Sequence, residues 1–374
     1  MRVLYLTDNS SGHNRRLLEK LSSFGHQVWF LDITKDKLPE HFLPRGVHWV
    51  QPARRFRQDA DPSLFKEFLP ELRYWLKELD PDLVHAGPVQ SCAYVAALSN
   101  FHPLVVMSWG SDLLLHVDCD AEWRRATETA LLGADGLFCD CDTVRAAAQR
   151  FVVFPDSRIA LFPYGIERDS FTPWGPLPPR ERLALEPGTI CFICTRSWEP
   201  LYDMDVLLEA FRRAYTKNNL LRLISLANGS TADRVRNFIA HHRLGQVVLT
   251  PGPVERDELP NWFRAASGYI SCAKSDGTSI SLLEAMAVGL PVVVTDIPSN
   301  REWVTEGENG WLASAGAPEE FAEKLLHIAN LNHEQREAIS KRNQRVVANR
   351  ADWDKNFPLL LRLYECLADL FVKR

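Results

Sequence analysis

Apolar positions along this chain follow two alternating periods. Short apolar runs such as Arg2–Leu6 and Val28–Ile33 predict buried strands, and between them the apolar residues of Arg15–Phe24 recur at helical spacing until a glycine follows. The alternation of strand and helix patterns favours an α/β fold with parallel sheets. The first strand-to-helix turn, Asp8–Asn14, contains one glycine, Gly12, and lacks the G-x-G-x-x-G of a nicotinamide-binding turn.

The alternation is interrupted once, at Trp174–Pro187, a proline- and charge-rich stretch typical of a linker. Before it, further strands are predicted at Leu83–His85, Leu104–Ser108, Gly136–Cys139 and Ile159–Leu161. After it, strands are predicted at Thr189–Thr195, Leu221–Leu226, Val247–Thr250 and Gly268–Ser271, and helices at Met204–Tyr215, Thr231–His241, Leu259–Ala265, Pro318–Asn330, His333–Val347 and Trp353–Val372. A chain of 374 residues is long enough for two such domains.

Composition narrows the class of protein. A hydrophobic content of 46% with 24% charged residues is typical of a globular chain, and the net charge of −5 argues against nucleic acid as a partner. No apolar run approaches the roughly 18 residues of a membrane span, and the N-terminus has the pattern of a first strand rather than of a signal peptide, so we expect a cytoplasmic protein. Cys191 and Cys194 form a C-x-x-C inside a predicted strand, which favours reduced core cysteines over a zinc or redox site.

Residues 53–79 are unusually basic. Arg54, Arg55 and Arg57 precede a predicted amphipathic helix at Phe65–Leu79 that carries further basic residues. Such a helix can lie on a membrane surface or on an acceptor, which would make the protein peripheral at the inner face of the membrane. The alternative, which we favour, is an ordinary surface helix packed on the sheet.

The stretch with the clearest chemistry is Ser275–Gly289. A predicted strand, Gly268–Ser271, leads into a polar turn with Asp276, and helical spacing begins near Ser279, a natural cap. Free amides and the positive end of a helix dipole make such a turn an anion site. Glu284 lies inside the helix, so two acids would flank a phosphate-type pocket. The alternative is a capped helix with two solvated acids.

The continuation of this stretch separates the two interpretations. From Glu284 the chain reads Glu-Ala-Met-Ala-Val-Gly-Leu-Pro-Val-Val. This pattern, preceded at the right distance by an acid, resembles the donor half of the retaining family-4 glycosyltransferases, the glycosyl transferases of group 1. The family usually has glutamate at the position of Asp276, so the reach of this shorter side chain to the sugar differs.

The resemblance implies a GT-B architecture, with two Rossmann-like doubly wound domains that face each other across a cleft. It assigns residues 1–165, with a C-terminal helix at 353–374 crossing back, to the acceptor-side domain, and residues 166–352 to the nucleotide-sugar domain. The implied reaction moves a sugar from a UDP- or GDP-sugar to a hydroxyl of a carbohydrate or glycolipid acceptor, with retention of configuration. It implies polysaccharide, lipid-linked or other glycoconjugate synthesis, and it requires neither a divalent metal nor another cofactor.

The resemblance also implies individual roles for donor-site residues. Arg196 would bind the diphosphate, Asp276 would lie by the transferred sugar, and Glu284 would hold the ribose hydroxyls. Tyr202 stands where the family has a second cation, a lysine. The implied donor-binding residues are Gly12, Arg196, Tyr202, Val254, Gly277, Thr278, Ser279, Ile280 and Glu284.

On the acceptor side, Ser108–Asp112 resembles a His-Gly-x-Asp segment of the family, with Trp109 in place of the histidine. Asp112 is therefore a third candidate catalytic residue beside Asp276 and Arg196. The candidate acceptor contacts are His13, Arg15 and Trp109, with Asn14 in the same loop. His85 is expected to be a core histidine.

Two alternatives stay open at this point. One is a disaccharide phosphorylase or synthase on the same scaffold. The other is a non-catalytic nucleotide-sugar-binding protein, which the departures from the family pattern at Tyr202 and Trp109 would favour.

Overall fold

Parallel strands flanked by helices make up both halves of the chain in the computed structural model, which describes residues 1–58, 60–178 and 188–372. The chain divides into two units, Met1–Tyr164 together with the chain from Asp354, and Gly165–Trp353. We call them unit 1 and unit 2. The predicted linker Trp174–Pro187 falls outside the described residues at 179–187.

Unit 1 is built on one parallel sheet. Its described strands are β1 (Arg2–Thr7), β2 (Gln27–Asp32), β3 (Val47–Trp49), β4 (Leu83–Ala86), β5 (Leu104–Met107), β6 (Gly136–Cys139) and β7 (Ile159–Leu161). They run in the order β3-β2-β1-β4-β5-β6-β7, and every pair is parallel. The order therefore reverses between β1 and β4, the topological switch point of this sheet.

Helices cover the sheet of unit 1. They are α1 (Gly12–Ser23), α2 (Pro62–Phe65), α3 (Leu69–Leu79), α4 (Tyr94–Leu98), α5 (Ser111–Leu114), α6 (Ala121–Leu132) and α7 (Asp142–Gln149). A π-helical turn, Val89–Ala93, follows β4 and is buried throughout.

Unit 2 repeats the arrangement with a second parallel sheet. Its described strands are β8 (Ile190–Cys194), β9 (Leu221–Ser225), β10 (Val248–Leu249), β11 (Gly268–Ser271), β12 (Val292–Thr295) and β13 (Gly310–Ala313). Their order is β10-β9-β8-β11-β12-β13. The switch point of this sheet lies between β8 and β11.

Helices flank the strands of unit 2 along the part of the chain that the structure describes. They are α8 (Met204–Lys217), α9 (Ala232–His241), α10 (Leu259–Arg264), α11 (Ile280–Val288), α12 (Pro298–Arg301), α13 (Pro318–Ala329) and α14 (His333–Arg350). The chain ends in α15 (Trp353–Asn356) and α16 (Pro358–Val372), and α16 packs against β6 and β7 of unit 1.

The predicted α/β class is confirmed, and several boundaries are corrected. α1 begins at Gly12 rather than at Arg15, because the side chain of Ser11 caps it by accepting a hydrogen bond from the amide of Asn14 at 3.3 Å. The strands β3, β12 and β13 are absent from the sequence-based prediction. The predicted last helix is two helices, interrupted before Pro358, which disfavours helical backbone at the residue before it.

The basic segment at residues 53–79 packs as an ordinary surface element. Phe65, Phe68 and Leu72 are buried in the core of unit 1. Arg54 is paired with Glu67, and Arg55 lies 2.8 Å from Asp36. Among the described residues, no helix is both long and apolar enough to cross a membrane.

The C-x-x-C does not form a joint site. Cys191 and Cys194 are both buried and free, and they belong to hydrophobic clusters on opposite faces of the second sheet. Burial raises the pKa of Cys191 to about 12 and that of Cys194 to about 11, so both stay protonated thiols. The predicted core position of both cysteines is confirmed.

Candidate active site

The strongest site candidates of unit 2 meet at the switch point of its sheet. The chain leaves β8 into a loop that carries Arg196, and it leaves β11 into the turn that carries Asp276. Ligands of open α/β sheets bind outside the carboxyl ends of the strands at such points. The tertiary structure therefore joins two residues that lie far apart in the sequence.

Arg196 is the centre of this group. Its Nη2 lies 2.8 Å from Oδ2 of Asp276, and its Nη1 donates to Oγ of Ser279 at 2.9 Å and to Oγ of Ser281 at 3.3 Å. The ring of Tyr202 lies under the guanidinium, 4.1 Å from its central carbon. The two charged side chains are only 12% and 18% exposed, so the cation is fixed in direction as well as in place.

Burial and charge act against each other in this pair. Burial raises the pKa of Asp276, and the neighbouring guanidinium opposes that shift. Burial by itself would lower the pKa of Arg196, but the carboxylate of Asp276 outweighs it, so the pKa is raised and the guanidinium keeps its charge. The pair thus keeps a charged guanidinium in a largely buried position.

The helix α11 begins beside this pair. Ser279 caps it by accepting a hydrogen bond from the amide of Leu282 at 3.4 Å, as its sequence predicts. The helix ends at Gly289, whose φ of 88° is left-handed and whose Cβ would lie 2.1 Å from Oγ of Ser340. The positive end of its dipole adds to the charge of Arg196. Gly277, Thr278 and Ile280 lie in or next to the turn that precedes it.

Glu284 lies deeper in the same helix and is 2% exposed. One of its carboxylate oxygens accepts from Arg256, whose guanidinium also pairs with Glu167 and lies 4.7 Å from the ring of Phe171. The sequence does not identify Arg256, because its partners come from two other segments. Val254 lies two residues before it, half-buried against the core.

Lys274 is a second cation that sequence reasoning missed. Its Nζ lies 3.3 Å from Oδ2 of Asp203 and donates to the carbonyl of Pro200 at 3.2 Å. It therefore stands against the short helical turn Pro200–Tyr202, where the expected lysine is replaced by Tyr202. The turn before α11 thus supplies a positive charge from another part of the chain.

The candidates around Gly12 lie in a helix rather than in the predicted loop. His13 packs 5.7 Å from the ring of Tyr164, and Arg15 is exposed, 3.9 Å from Glu19. Asn14 is fully buried: it accepts from the hydroxyl of Tyr5 and donates to its own turn, so it holds the backbone and is not available to a ligand. A Cβ at Gly12 would meet nothing within 4 Å.

Asp112 and Trp109 have different roles in unit 1. Asp112 is 1% exposed, and its two oxygens accept from the hydroxyl of Ser108 and from the amides of Val89, Trp109 and Leu113 at 2.6–3.1 Å. It ties the segment after β5 to the segment after β4, and burial raises its pKa. Trp109 stacks parallel on Tyr164, with ring centroids 5.3 Å apart.

Both residues border a cavity of about 560 Å³ at the carboxyl ends of β1, β4 and β5. Asp8, which follows β1, also lines the cavity. Sequence reasoning did not select this residue. Asp8 is 3% exposed and accepts from Ser91 at 2.8 Å and from Asn9 at 3.3 Å. Burial raises its pKa to about 7, although these hydrogen bonds lower it in part.

His85 is a core residue, as expected. It is fully buried, its Nδ1 lies 2.5 Å from the hydroxyl of Tyr364, and burial lowers its pKa to about 3. Within the part of the chain that the structure describes, three or more His, Cys, Asp or Glu side chains nowhere gather in a way that could hold a metal ion.

Comparison with known proteins identifies the family. Residues 180–367, half of the chain, match the profile described as glycosyl transferases group 1. The chain belongs to this family of glycosyltransferases. A second profile, glycosyl transferase 4-like, matches residues 2–140 of the same glycosyltransferase. The predicted family is thereby confirmed.

Curated relatives are about a quarter identical to the chain over the half of it that aligns. A D-inositol 3-phosphate glycosyltransferase from Xylanimonas cellulosilytica is 29% identical over 216 residues, which are 55% of this chain and 51% of the relative. An uncharacterized glycosyltransferase from Methanocaldococcus jannaschii is 26% identical over 170 residues, 46% of each chain. The chain thus spans about half the length of the curated relatives it matches.

Solved structures confirm the fold of this glycosyltransferase. Sucrose-phosphate synthase from Thermosynechococcus elongatus matches with a TM-score of 0.83 at 16% identity, covering 100% of both chains. The HepE protein from Anabaena, in complex with UDP-glucose, matches with a TM-score of 0.77 at 17% identity, covering 99% of this chain and 100% of that one. The predicted two-domain, Rossmann-like GT-B fold is confirmed.

Proposed function

We propose that this glycosyltransferase moves a sugar from a nucleotide-diphosphate sugar to a hydroxyl of a carbohydrate acceptor, with retention of anomeric configuration. The observation that carries the proposal is the convergence of Arg196, Asp276 and the start of α11 at one switch point. A fixed guanidinium beside a helix N-terminus is suited to a diphosphate, because it offers paired, charged donors. The nearby acid is suited to hydroxyls of the sugar.

In the proposed reaction the bond between the anomeric carbon and the diphosphate oxygen breaks, and its electron pair goes to the diphosphate. The acceptor oxygen bonds to the anomeric carbon on the same face, and its proton goes to the departing diphosphate. Arg196 and the amides of Gly277–Ile280 stabilise the charge that develops on the leaving group, which lowers the barrier most in a dry pocket. This role needs no metal ion.

Further residues take roles in donor binding under this proposal. Glu284 accepts from the ribose hydroxyls, and Arg256 orients its carboxylate. Tyr202 is the platform that fixes the guanidinium of Arg196. Lys274 takes the place of the family lysine as the second cation, since it stands against the turn that carries Tyr202.

Val254 would border the base of the donor. The proposed donor is a UDP-sugar or a GDP-sugar. The UDP-glucose complex of the Anabaena protein favours the UDP-sugar. Gly12, His13, Arg15 and Trp109 remain proposed contacts of unit 1. Synthesis of polysaccharide or another glycoconjugate, a cytoplasmic location and membrane contact through residues 53–79 stay predictions.

The first experiment is a thermal-shift panel of nucleotides and nucleotide sugars. A ligand that binds only the native state raises the melting temperature by mass action. We expect one nucleoside diphosphate and its sugars to stabilise the protein, and the shift to be lost in Arg196→Ala but kept in Arg212→Ala, which removes a paired surface arginine of unit 2. No shift with any nucleotide would contradict the proposal and favour the phosphorylase alternative.

Turnover and stereochemistry are tested separately. With a donor identified, release of nucleoside diphosphate in the presence of acceptors distinguishes an enzyme from a non-catalytic binding protein. The anomeric coupling constants of the product, measured by NMR, then decide retention. An inverted product would contradict the retaining mechanism without affecting the donor site.

A further inference from the structure

The cavity of unit 1 has the lining of a binding site for an uncharged sugar. It lies at the switch point between β1 and β4, and its volume of about 560 Å³ is within the range of small-ligand sites, roughly 300–1,000 Å³. Its walls combine two indole rings with short polar side chains. The side chains that matter for recognition are Asp8, Ser91, Trp109, Asp112, His116 and Trp123.

The charges in this lining are negative. Asp8 and Asp112 are both nearly inaccessible, and no lysine or arginine occurs among the described residues that line the cavity. A phosphate ester carries close to two negative charges, and protein sites neutralise it with arginine, lysine or a free helix N-terminus. Moving such a group into this cavity would bring it close to two buried carboxyl groups without a compensating cation.

The carboxyl groups do not favour a cationic ligand either. Both oxygens of Asp112 are taken by four donors of the protein. Asp8 already accepts from Ser91 and Asn9, and burial raises its pKa to about 7, so near neutral pH it is protonated about half of the time. In that form Asp8 can donate to a hydroxyl as well as accept from one.

The aromatic walls suit the apolar face of a sugar ring. Trp109 is held parallel to Tyr164 at 5.3 Å, and Trp123 packs 5.1 Å from the ring of His116. Both indoles are thus fixed before a ligand arrives, which reduces the entropy lost on binding. Hydroxyls on the ring edge would then reach the carboxyl of Asp8.

The family resemblance already implies that unit 1 binds the acceptor. We infer that the acceptor in the cavity between β1 and β4 is an uncharged saccharide or polyol, bound by Asp8 against Trp109 and Trp123. The inference rests on the proposed glycosyl transfer. An uncharged acceptor would distinguish this chain from the D-inositol 3-phosphate glycosyltransferase and the sucrose-phosphate synthase, whose names contain a phosphate ester.

The test is a binding panel on the full chain. Uncharged mono- and disaccharides and myo-inositol, each paired with its own monophosphate ester, are titrated by saturation-transfer NMR and calorimetry, with and without the stabilising nucleotide. We expect at least one uncharged ligand to bind, and its phosphate ester to bind on the order of tenfold more weakly because of charge repulsion in a low-dielectric cavity. Equal or tighter binding of the ester or of an amino sugar, or no binding of any uncharged member, would overturn the inference.

Two variants localise the effect. Asp8→Asn should weaken binding of the uncharged ligand and narrow its preference over the ester, whereas Asp36→Asn, which removes a surface carboxylate of unit 1, should leave both unchanged. If Asp8→Asn leaves both unchanged, the cavity is not the site. Nucleotide binding is measured on the same samples, so that a failed acceptor inference with intact nucleotide binding is distinguished from failure of the donor proposal.

Discussion

The two sheets share their strand order around the switch point and differ in the charged side chains that follow the strands there. In unit 2, Arg196 and Lys274 follow β8 and β11, beside the positive end of α11. In unit 1, Asp8 and Asp112 follow β1 and β5 and line the same cavity as Trp109 and Trp123. The comparison teaches that the parallel sheet fixes where a ligand binds, whereas the residues that follow each strand fix its chemical class.

The largest expected effect comes from removing the cation of unit 2. Arg196→Ala should lower transfer by about 10²–10³-fold, as for the loss of a preorganised group that stabilises transition-state charge. It also leaves Asp276 buried without its partner, which costs about 3–5 kcal/mol of the free energy of unfolding.

Steady-state kinetics and chemical denaturation measure the two effects of this change. Arg196→Ala combined with Asp276→Asn should recover part of the stability without recovering transfer. If the double variant transfers sugar as well as the wild type does, the cation has no catalytic role.

The next effect concerns the negative charge of unit 1 and depends on pH. The pKa of Asp8 is raised to about 7 in the folded protein from an ordinary value of 3.8, so its protonated form is favoured by folding. The Asp8 carboxyl therefore contributes a loss of stability as pH rises from about 4 through 7, and Asp8→Asn lacks this contribution. The free energy of unfolding of Asp8→Asn, relative to that of the wild type, should increase by about 2–3 kcal/mol between about pH 5 and pH 8.

Urea denaturation of both proteins over this pH range measures the difference directly. Because other titrating groups are common to both proteins, they cancel in the comparison. A difference that does not change with pH would show that Asp8 is not buried as a strained carboxyl, and would weaken the contrast between the two switch points.

A smaller effect is expected at Glu284. Glu284→Gln keeps the size of the side chain but weakens its pairing with Arg256 and its acceptance from ribose hydroxyls. Donor binding should weaken by about 1–3 kcal/mol. Calorimetric titration with a ribonucleotide and its 2′-deoxy analogue sharpens the test, because the variant should lose most of the preference for ribose. An unchanged preference would remove Glu284 from the ribose site.

The smallest effect is expected at Tyr202. Tyr202→Phe keeps the ring under Arg196 and should leave nucleotide affinity nearly unchanged, whereas Tyr202→Ala should weaken it by about 0.5–2 kcal/mol through loss of the cation–π contact. Tyr202→Lys, which restores the family residue, tests whether Lys274 already supplies the second charge. A large gain in affinity would show that it does not.

Elements with a strong local signal could be predicted from the sequence. α11 begins where Ser279 offers a cap and where the spacing of apolar residues changes, and both signals lie within a few residues of each other. β3 could not be predicted in this way, because it is a three-residue edge strand and only Val47 in it is buried. The start of α1 was placed late because Gly12–Asn14 has no apolar residue, although Asn14 is buried through hydrogen bonds.

The candidate site was predictable only in part. Asp276, Arg196 and Glu284 were found because the resemblance placed them. The contacts of Arg196 with Ser281 and of Glu284 with Arg256 could not be found, because each joins segments that follow different strands. Asp8 was missed because an aspartate after a strand usually is solvated; the π-helical turn Val89–Ala93 buries it by bringing Ser91 to 2.8 Å. Lys274 was missed because its direction depends on the fold of its turn.

Hydrophobic periodicity and a contiguous motif are local properties of the chain, so the class of fold, the room for two domains and the family could be inferred from the residues alone. Which side chains lie together, which carboxyl groups are buried and which charges they face became known from the folded chain. These properties depend on the order of strands in each sheet, which brings the ends of distant segments together. Asp8, for example, is buried and bonded to Ser91 only because the segment after β4 folds against the end of β1.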